Sequence, residues 1–423
     1  MSIRFKNVLN NVSWMVVGRF FQLAVTFVAT MLITRYLGPE KYGLITHANS
    51  YVQVLIPIST LGINDVITKL LIEKKEQNDL VLGSTILMRI ASSSFSILVL
   101  LITMYCFHGN DQLFTAIVFE SFSLFFQAFD SIVYWFQSKL MAKKVGIILI
   151  LTYTVTAAFR IVGLITNKDI KWFSFAISLD YIVLAVLLFT QYLKSGNNFR
   201  FDKTVAAEIL KLSSNYLFAS IMIAIYSRAD TIFLGNLVDD ISVGYYSAAT
   251  TICNAWPFVL IAIIEITNPI IVQSYSRSKE EFETRLKQLY AIVFYIGIAV
   301  AVFITIFGKY IILIVYGKDY MPAVLPFKIA SWSTVFAYLG VARASWMQCE
   351  NRLKYEKRIS FIGAIINIVL NYLLIRHYGA VGAASALVLT QFITNVVLIF
   401  MIKETRDNAK LMLNAIILKG ILK

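Results

Sequence analysis

Runs of about twenty apolar residues recur from one end of this 423-residue chain to the other, and they decide what it can fold into. A helix needs about 20 residues to cross the ~30 Å hydrocarbon core of a bilayer. The buried elements of a water-soluble domain need much shorter runs. Composition agrees: 58% of residues are apolar and 15% charged, with mean hydropathy +0.73, whereas soluble domains carry about 25% charged residues. In hydrocarbon a backbone must satisfy its own polar groups. The fold class is therefore an all-α polytopic membrane protein.

Hydropathy predicts twelve spans, at about 12–34, 43–63, 81–106, 113–136, 146–166, 172–193, 214–236, 244–272, 289–308, 323–348, 359–376 and 380–402. The connecting segments alternate in charge. One set holds Arg4, Lys6, Lys69, Lys74, Lys75, Lys139, Lys143 and Lys144, then basic clusters at 194–211, 277–287, 352–358 and 403–423. The other set holds only Arg35, Lys41, Lys168, Lys171, Lys309, Lys318 and Arg376. Lys and Arg collect on cytoplasmic loops, so both termini are expected inside the cell. The same bias explains the net charge of +14, which in a soluble chain would point to nucleic acid; no such partner is expected. The polar, basic start lacks a cleavage site, so the first span is expected to act as its own insertion signal. Cys106, Cys253 and Cys349 are isolated, without metal or disulfide spacing.

The longest inner link divides the chain into an N-terminal six-helix lobe (1–193), a cytoplasmic linker (194–213), a C-terminal six-helix lobe (214–402) and a cytoplasmic tail (403–423). The halves echo each other. Trp135-Phe-Gln137 and Trp346-Met-Gln348 end the fourth and tenth spans, and Gly43 and Gly244 open the second and eighth. Leu37-Gly38 and Leu234-Gly235 close the first and seventh. Internal repeats are the usual architecture of transporters. An even number of spans per half places the relating axis along the membrane normal.

Charges inside the spans are the sharpest functional signal, because each costs roughly 2.5–3.5 kcal/mol at the centre of a spanning helix. The arginines are Arg19, Arg89, Arg160, Arg228 and Arg343; the acids are Glu120, Asp130, Asp180, Asp230 and Glu265. Arg343 and Asp130 lie close enough to the inner interface to snorkel to water. Arg19 and Arg89 are about 10–12 Å deep at 1.5 Å per residue, and Arg228 is deepest. Gln22, Thr26, His47, Asn49, Gln53, Asn254, Asn367 and Asn371 could line a cavity or bond between helices. Asn367 and Asn371, four residues apart, share a helix face. Asp230 lies about 200° around its helix from Arg228, so the two cannot pair, and it is the candidate for ion coupling.

At Arg35-Tyr-Leu-Gly-Pro-Glu-Lys-Tyr-Gly43 the chain resembles the polysaccharide-transporter family, within the superfamily of multidrug extruders and lipid II flippases. Asp230-Thr-Ile-Phe-Leu-Gly235, Val243-Gly-Tyr-Tyr-Ser-Ala-Ala249, Ile314-Val-Tyr-Gly-Lys-Asp-Tyr320 and Tyr378-Gly-Ala-Val-Gly-Ala-Ala-Ser-Ala386 agree with it in the same order. The resemblance implies two MATE-like lobes around a central cavity, in a bacterial inner membrane. It implies flipping of an undecaprenyl-pyrophosphate-linked O-antigen or similar repeat unit by alternating access, with no catalysis and no cofactor beyond H+ or Na+ as coupling ion. Membrane lipid, a repeat-unit polymerase and a chain-length regulator are the implied partners. Pyrophosphate and sugar would be met by Arg228, Arg19, Arg89, Arg160, Arg343, Asn367 and Asn371, since guanidinium groups replace hydration with bidentate, charge-assisted bonds. A multidrug or cation extruder is the alternative, though acids and aromatics would suit its substrates better. A polymerase would need a larger outer loop, and the chain has no nucleotide-binding Gly-x4-Gly-Lys-Ser/Thr loop. The loop motif also has a physical reading: Gly38-Pro39 stops a helix, and Gly43 is expected to permit sharp re-entry into the next.

Overall fold

The computed structural model describes the backbone of residues 3–420, and side chains from Trp14 onward except at Asp65, Asn215 and Ala219. Arg4, Lys6 and Lys423, which entered the charge asymmetry, lie outside the described side chains. The regular structure described is helical throughout. It runs α1 (Ile3–Val54), α2 (Ile56–Thr60), α3 (Asn64–Glu73), α4 (Asn78–His108), α5 (Gln112–Phe126), α6 (Ser131–Ser138), α7 (Ala142–Ile165) and α8 (Ile170–Lys194). There follow α9 (Lys203–Leu237), α10 (Asp240–Ala255), α11 (Phe258–Arg277), α12 (Lys279–Val315), α13 (Val324–Cys349), α14 (Leu353–Phe392), α15 (Leu398–Met401) and α16 (Arg406–Ile416).

Ten helical stretches among the described residues are long and apolar enough to cross a bilayer, where hydropathy predicts twelve separate spans. The difference lies at two glycines. Trp14–Thr60 and Leu353–Met401 run 47 and 49 residues, about twice what a crossing needs. Non-helical backbone interrupts them at Gly38 (φ 74°, ψ 174°) and Gly379 (φ 52°, ψ −131°). Glycine takes positive φ without a Cβ clash, and Pro39 then starts the next helical turn, where its missing N–H is no loss. At Gly379 the chain folds back on itself. Asn367 Nδ2 donates to Thr390 Oγ1 at 3.4 Å, and a Cβ on Gly382 would lie 2.1 Å from the Leu374 carbonyl oxygen. The stretch thus supplies two antiparallel legs.

Two compact units are present, Met1–Leu37 with Leu44–Arg228, and Gly38–Gly43 with Ala229–Lys423. Their boundary falls within α9, beyond the expected linker at 194–213. That segment is held on the first unit. Arg200 N donates to the Asp79 carbonyl at 3.3 Å, Asp202 N donates to Ser84 Oγ at 3.1 Å, and Tyr192 Oη donates to the Asp79 carboxylate at 2.9 Å. Asp202 also caps the start of α9, accepting from Thr204 N at 2.8 Å and Val205 N at 2.9 Å. The Thr204 hydroxyl first, then these amides, hold its carboxyl below the usual range. The cap's contribution is therefore complete above the ordinary carboxylate pKa and lost as pH falls through the lowered one.

Within the first unit, α1 crosses α7 where Gly18 meets Gly146. A Cβ on Gly18 would lie 2.8 Å from Gly146 Cα, and one on Gly146 would lie 2.3 Å from the Trp14 carbonyl oxygen. Helices in lipid gain little from apolar burial, so small residues that admit close backbone contact hold them together. Gly43 works the same way in the second unit. It is helical, not a re-entry hinge, and a Cβ there would lie 1.7 Å from the Asp240 carbonyl oxygen. Gly244, its sequence counterpart, would meet the Pro39 carbonyl oxygen at 2.0 Å.

The internal repeat is visible at helix ends. After Trp135-Phe-Gln137, Leu140 takes φ 56° and Met141 N bonds the Phe136 carbonyl at 2.8 Å. After Trp346-Met-Gln348, Asn351 takes φ 54° and Arg352 N bonds the Met347 carbonyl at 2.7 Å. These are matching left-handed helix caps, each beneath a buried tryptophan. The Leu-Gly pair is less alike: Gly38 breaks its helix, whereas Gly235 sits inside α9.

The Gly43 contact gives a direct prediction. G43V should destabilise the purified protein by about 1–3 kcal/mol or more, lowering its thermal midpoint; an unchanged midpoint would remove the close-packing role.

Candidate functional site

The first unit holds four of the five intramembrane arginines. Arg160 on α7 is buried, and its Nη2 donates to the Asp180 carboxylate on α8 at 2.6 Å and to the Ala176 carbonyl at 3.3 Å. Both residues flank one short turn, so the pair staples α7 to α8. Arg89 on α4 is 1% exposed. Its Nη2 donates to Asn64 Oδ1, while Nε and Nη1 meet no acceptor among the described residues. Arg19 is exposed and donates to Gln22 Oε1 at 3.2 Å; Gln22 in turn donates to the Tyr153 hydroxyl at 2.7 Å. Asp130 lies within electrostatic reach of Arg89 and Arg19. It is half-buried. Arg228, the last residue of this unit, is half-buried.

In the second unit Asp230 accepts from the Tyr246 hydroxyl and, at 2.7 Å, from Thr231 N. Arg343 does not snorkel. It is 1% exposed, and Nε and Nη2 grip the Glu356 carboxylate at 3.2, 2.9 and 3.0 Å. Glu356 stands in the first turn of α14, outside the predicted spans, which hid this partner from a search of intramembrane acids. Asn367 and Asn371 share a face as their spacing predicts and bond each other at 2.9 Å. Both are buried, so they serve the fold between the legs of α14 in this conformation. Asn254 and Glu265 are exposed.

The candidates thus fall into two kinds. Arg160 and Arg343 pair with carboxylates, Arg343 keeping one donor, Nη1, without an acceptor among the described residues. Arg89 instead bonds a neutral amide and leaves both Nε and Nη1 without acceptors there. Sequence depth alone does not separate them, although Arg160 and Asp180 could have been paired by their common turn.

Solved structures with the same fold identify the class. An inward-facing multidrug resistance MATE family transporter of the MOP superfamily superposes with TM-score 0.72 at 12% identity, covering 95% of this chain and 99% of that one. Lipid II flippase MurJ, inward closed, gives 0.69 at 16% identity, with 96% and 91% covered. A MOP superfamily transporter from Pyrococcus furiosus, described as having a binding pocket of reverse polarity, gives 0.63 at 13% identity, with 96% of both chains covered. The protein is a multi-pass membrane protein with a MATE-like fold.

A family model described as polysaccharide biosynthesis protein matches residues 8–274, and a MatE model matches 216–373. The chain belongs to the polysaccharide biosynthesis protein family. Capsular polysaccharide biosynthesis protein CapF of Staphylococcus aureus is 20% identical over 397 residues, 91% of this chain and 96% of its own.

The Arg160–Asp180 pair can be tested by stability. D180N leaves a buried guanidinium without its counter-charge and should cost about 3–5 kcal/mol, while R160L/D180L should recover most of that loss. Thermal unfolding of the purified variants reads both; a harmless D180N would contradict the staple.

Proposed function

We propose that this protein flips an undecaprenyl-pyrophosphate-linked repeat unit, of O-antigen or a similar polysaccharide, from the cytoplasmic to the periplasmic leaflet of the bacterial inner membrane. Both termini face the cytoplasm, and transport proceeds by alternating access without making or breaking covalent bonds. The observation that carries the reading is Arg89, a guanidinium buried at membrane depth with Nε and Nη1 unmatched, in a chain of the polysaccharide biosynthesis family.

The pyrophosphate is the part of such a substrate that cannot cross hydrocarbon unaided. Arginine answers it with planar, paired donors. Arg89, Arg19 and Arg228 are assigned to the pyrophosphate path. Arg160 and Arg343 join it only if their carboxylates release them, and Asn367 and Asn371 contact sugar only if their mutual bond opens. Asp230, held by Tyr246, is the proposed carrier of a coupling H+ or Na+. A repeat-unit polymerase and a chain-length regulator are the proposed partners downstream. Of the carboxylates that a drug or cation extruder would call for, Asp180 and Glu356 are bound to arginines.

Cells lacking the protein should accumulate single lipid-linked units on the cytoplasmic face and lose surface polymer; normal polymer would contradict the reading. R89A and R228A should each lower surface polymer at least about tenfold, the value of one charged hydrogen bond of about 1.5–3 kcal/mol. With D230N, unchanged ion-driven transport would remove the coupling role.

A further inference from the structure

We infer that Glu120, with Asn49 and Ser174, forms a cation-binding site in the first unit, and that its occupant is a proton. The site lies on three elements: Asn49 on α1, Glu120 on α5 and Ser174 on α8. Glu120 is 0% exposed. Its Oε2 accepts from Asn49 Nδ2 at 3.0 Å, and its Oε1 meets no donor among the described residues. Ser174, also 0% exposed, lies beside the carboxyl with a hydroxyl outside hydrogen-bond geometry to any described partner. Ser123 and Ser178 bond the Glu120 backbone carbonyl, at 2.6 and 3.0 Å, and leave the carboxyl alone.

No described basic side chain balances this carboxyl. Arg89 on α4 donates to Asn64, and Asp130, after α5, lies by Arg89. Arg160 and Asp180, on α7 and α8, pair with each other. His47, two residues before Asn49, stacks on Tyr51 with centroids 5.2 Å apart and lies about 200° around the helix from the Asn49 face. A carboxylate buried without a counter-charge is too costly to persist. A neutral acid fits these surroundings, because it offers one acceptor and one O–H donor. Asn49 supplies the donor, and the Ser174 hydroxyl, beside the carboxyl, is the acceptor assigned to its proton. A metal cation would need several oxygens, but Asn49 turns its amide nitrogen to the carboxyl and its Oδ1 to Gln53.

The proton can leave only when the helices around Glu120 part enough to admit water, which ties its occupancy to conformation. Use of that proton to drive flipping rests on the function proposed above; the binding itself does not.

Thermal unfolding of the full-length protein in detergent, without substrate, tests the site across about pH 5.5 to 8.5 in wild type, E120Q and S174A. A group protonated in the folded state and ionised in the unfolded state stabilises at low pH and loses that contribution as pH rises. Wild type should therefore lose up to about tenfold in its folding equilibrium constant per pH unit from this group. E120Q should flatten the profile, and S174A should move the loss to lower pH. Equal profiles in all three would overturn the site. Sodium replacing potassium at fixed ionic strength should not matter; stabilisation of wild type but not E120Q would overturn the proton in favour of a metal cation. Should E120Q not fold, the infrared band of a protonated carboxyl in wild type, shifted in S174A, decides, and its absence at neutral pH overturns the proposal. No outcome depends on whether cells flip a saccharide.

Discussion

A guanidinium held in hydrocarbon must find an opposite charge, a hydrogen-bond partner or water, and much of this structure follows from how each arginine does so. Arg160 takes Asp180 from the neighbouring helix, and Arg343 reaches Glu356 across the α13–α14 turn. Arg89 is answered incompletely, by Asn64. A buried pair is weak evidence of net stability, because desolvation consumes much of the Coulomb gain. What such pairs fix is geometry. The two pairs set the register of helices that apolar contact would leave free to slide, and it is the unmatched donors of Arg89 that the proposed function assigns to an anion.

Close backbone contact fixes the remaining geometry. Gly18 with Gly146, Gly43 with Gly244 and Gly382 with Leu374 each bring helices so near that a methyl group would overlap backbone. Gly38 and Gly379 instead use their conformational freedom, breaking long helices where the chain must turn. The two uses are physically distinct, although the sequence spells both with one letter. Such contacts hold the helices together within each unit.

The fold was largely legible in the sequence because bilayer thickness imposes a length that hydropathy detects. The stop at Gly38-Pro39 was legible too, since positive φ and a missing donor are local properties. Gly43 was misread because close approach to Asp240 is a tertiary fact that leaves no local trace. The tryptophan motifs pointed correctly to repeated helix ends, but the matched left-handed residues, Leu140 and Asn351, have unrelated side chains. The candidate site was half legible. Arginine depth could be counted, but Glu356 lay outside the spans and drew no notice. Arg343 does not reach out to solvent because it is buried against the Glu356 carboxylate. In the sequence Glu120 is one acid among several; only its surroundings show that no cation among the described residues answers it.

The central claim is that the arginine-bearing interior serves a lipid-linked anionic saccharide. Its most direct test is reconstitution of the purified protein into liposomes with a labelled undecaprenyl-pyrophosphate oligosaccharide, followed by a membrane-impermeant reagent that modifies only sugars on the outer leaflet. The account predicts that the protected inner-leaflet pool becomes reactive with time in vesicles holding wild-type protein, and stays protected with R89A. A pool that remains protected with wild type, in vesicles that nonetheless move a lipophilic cation, would contradict it.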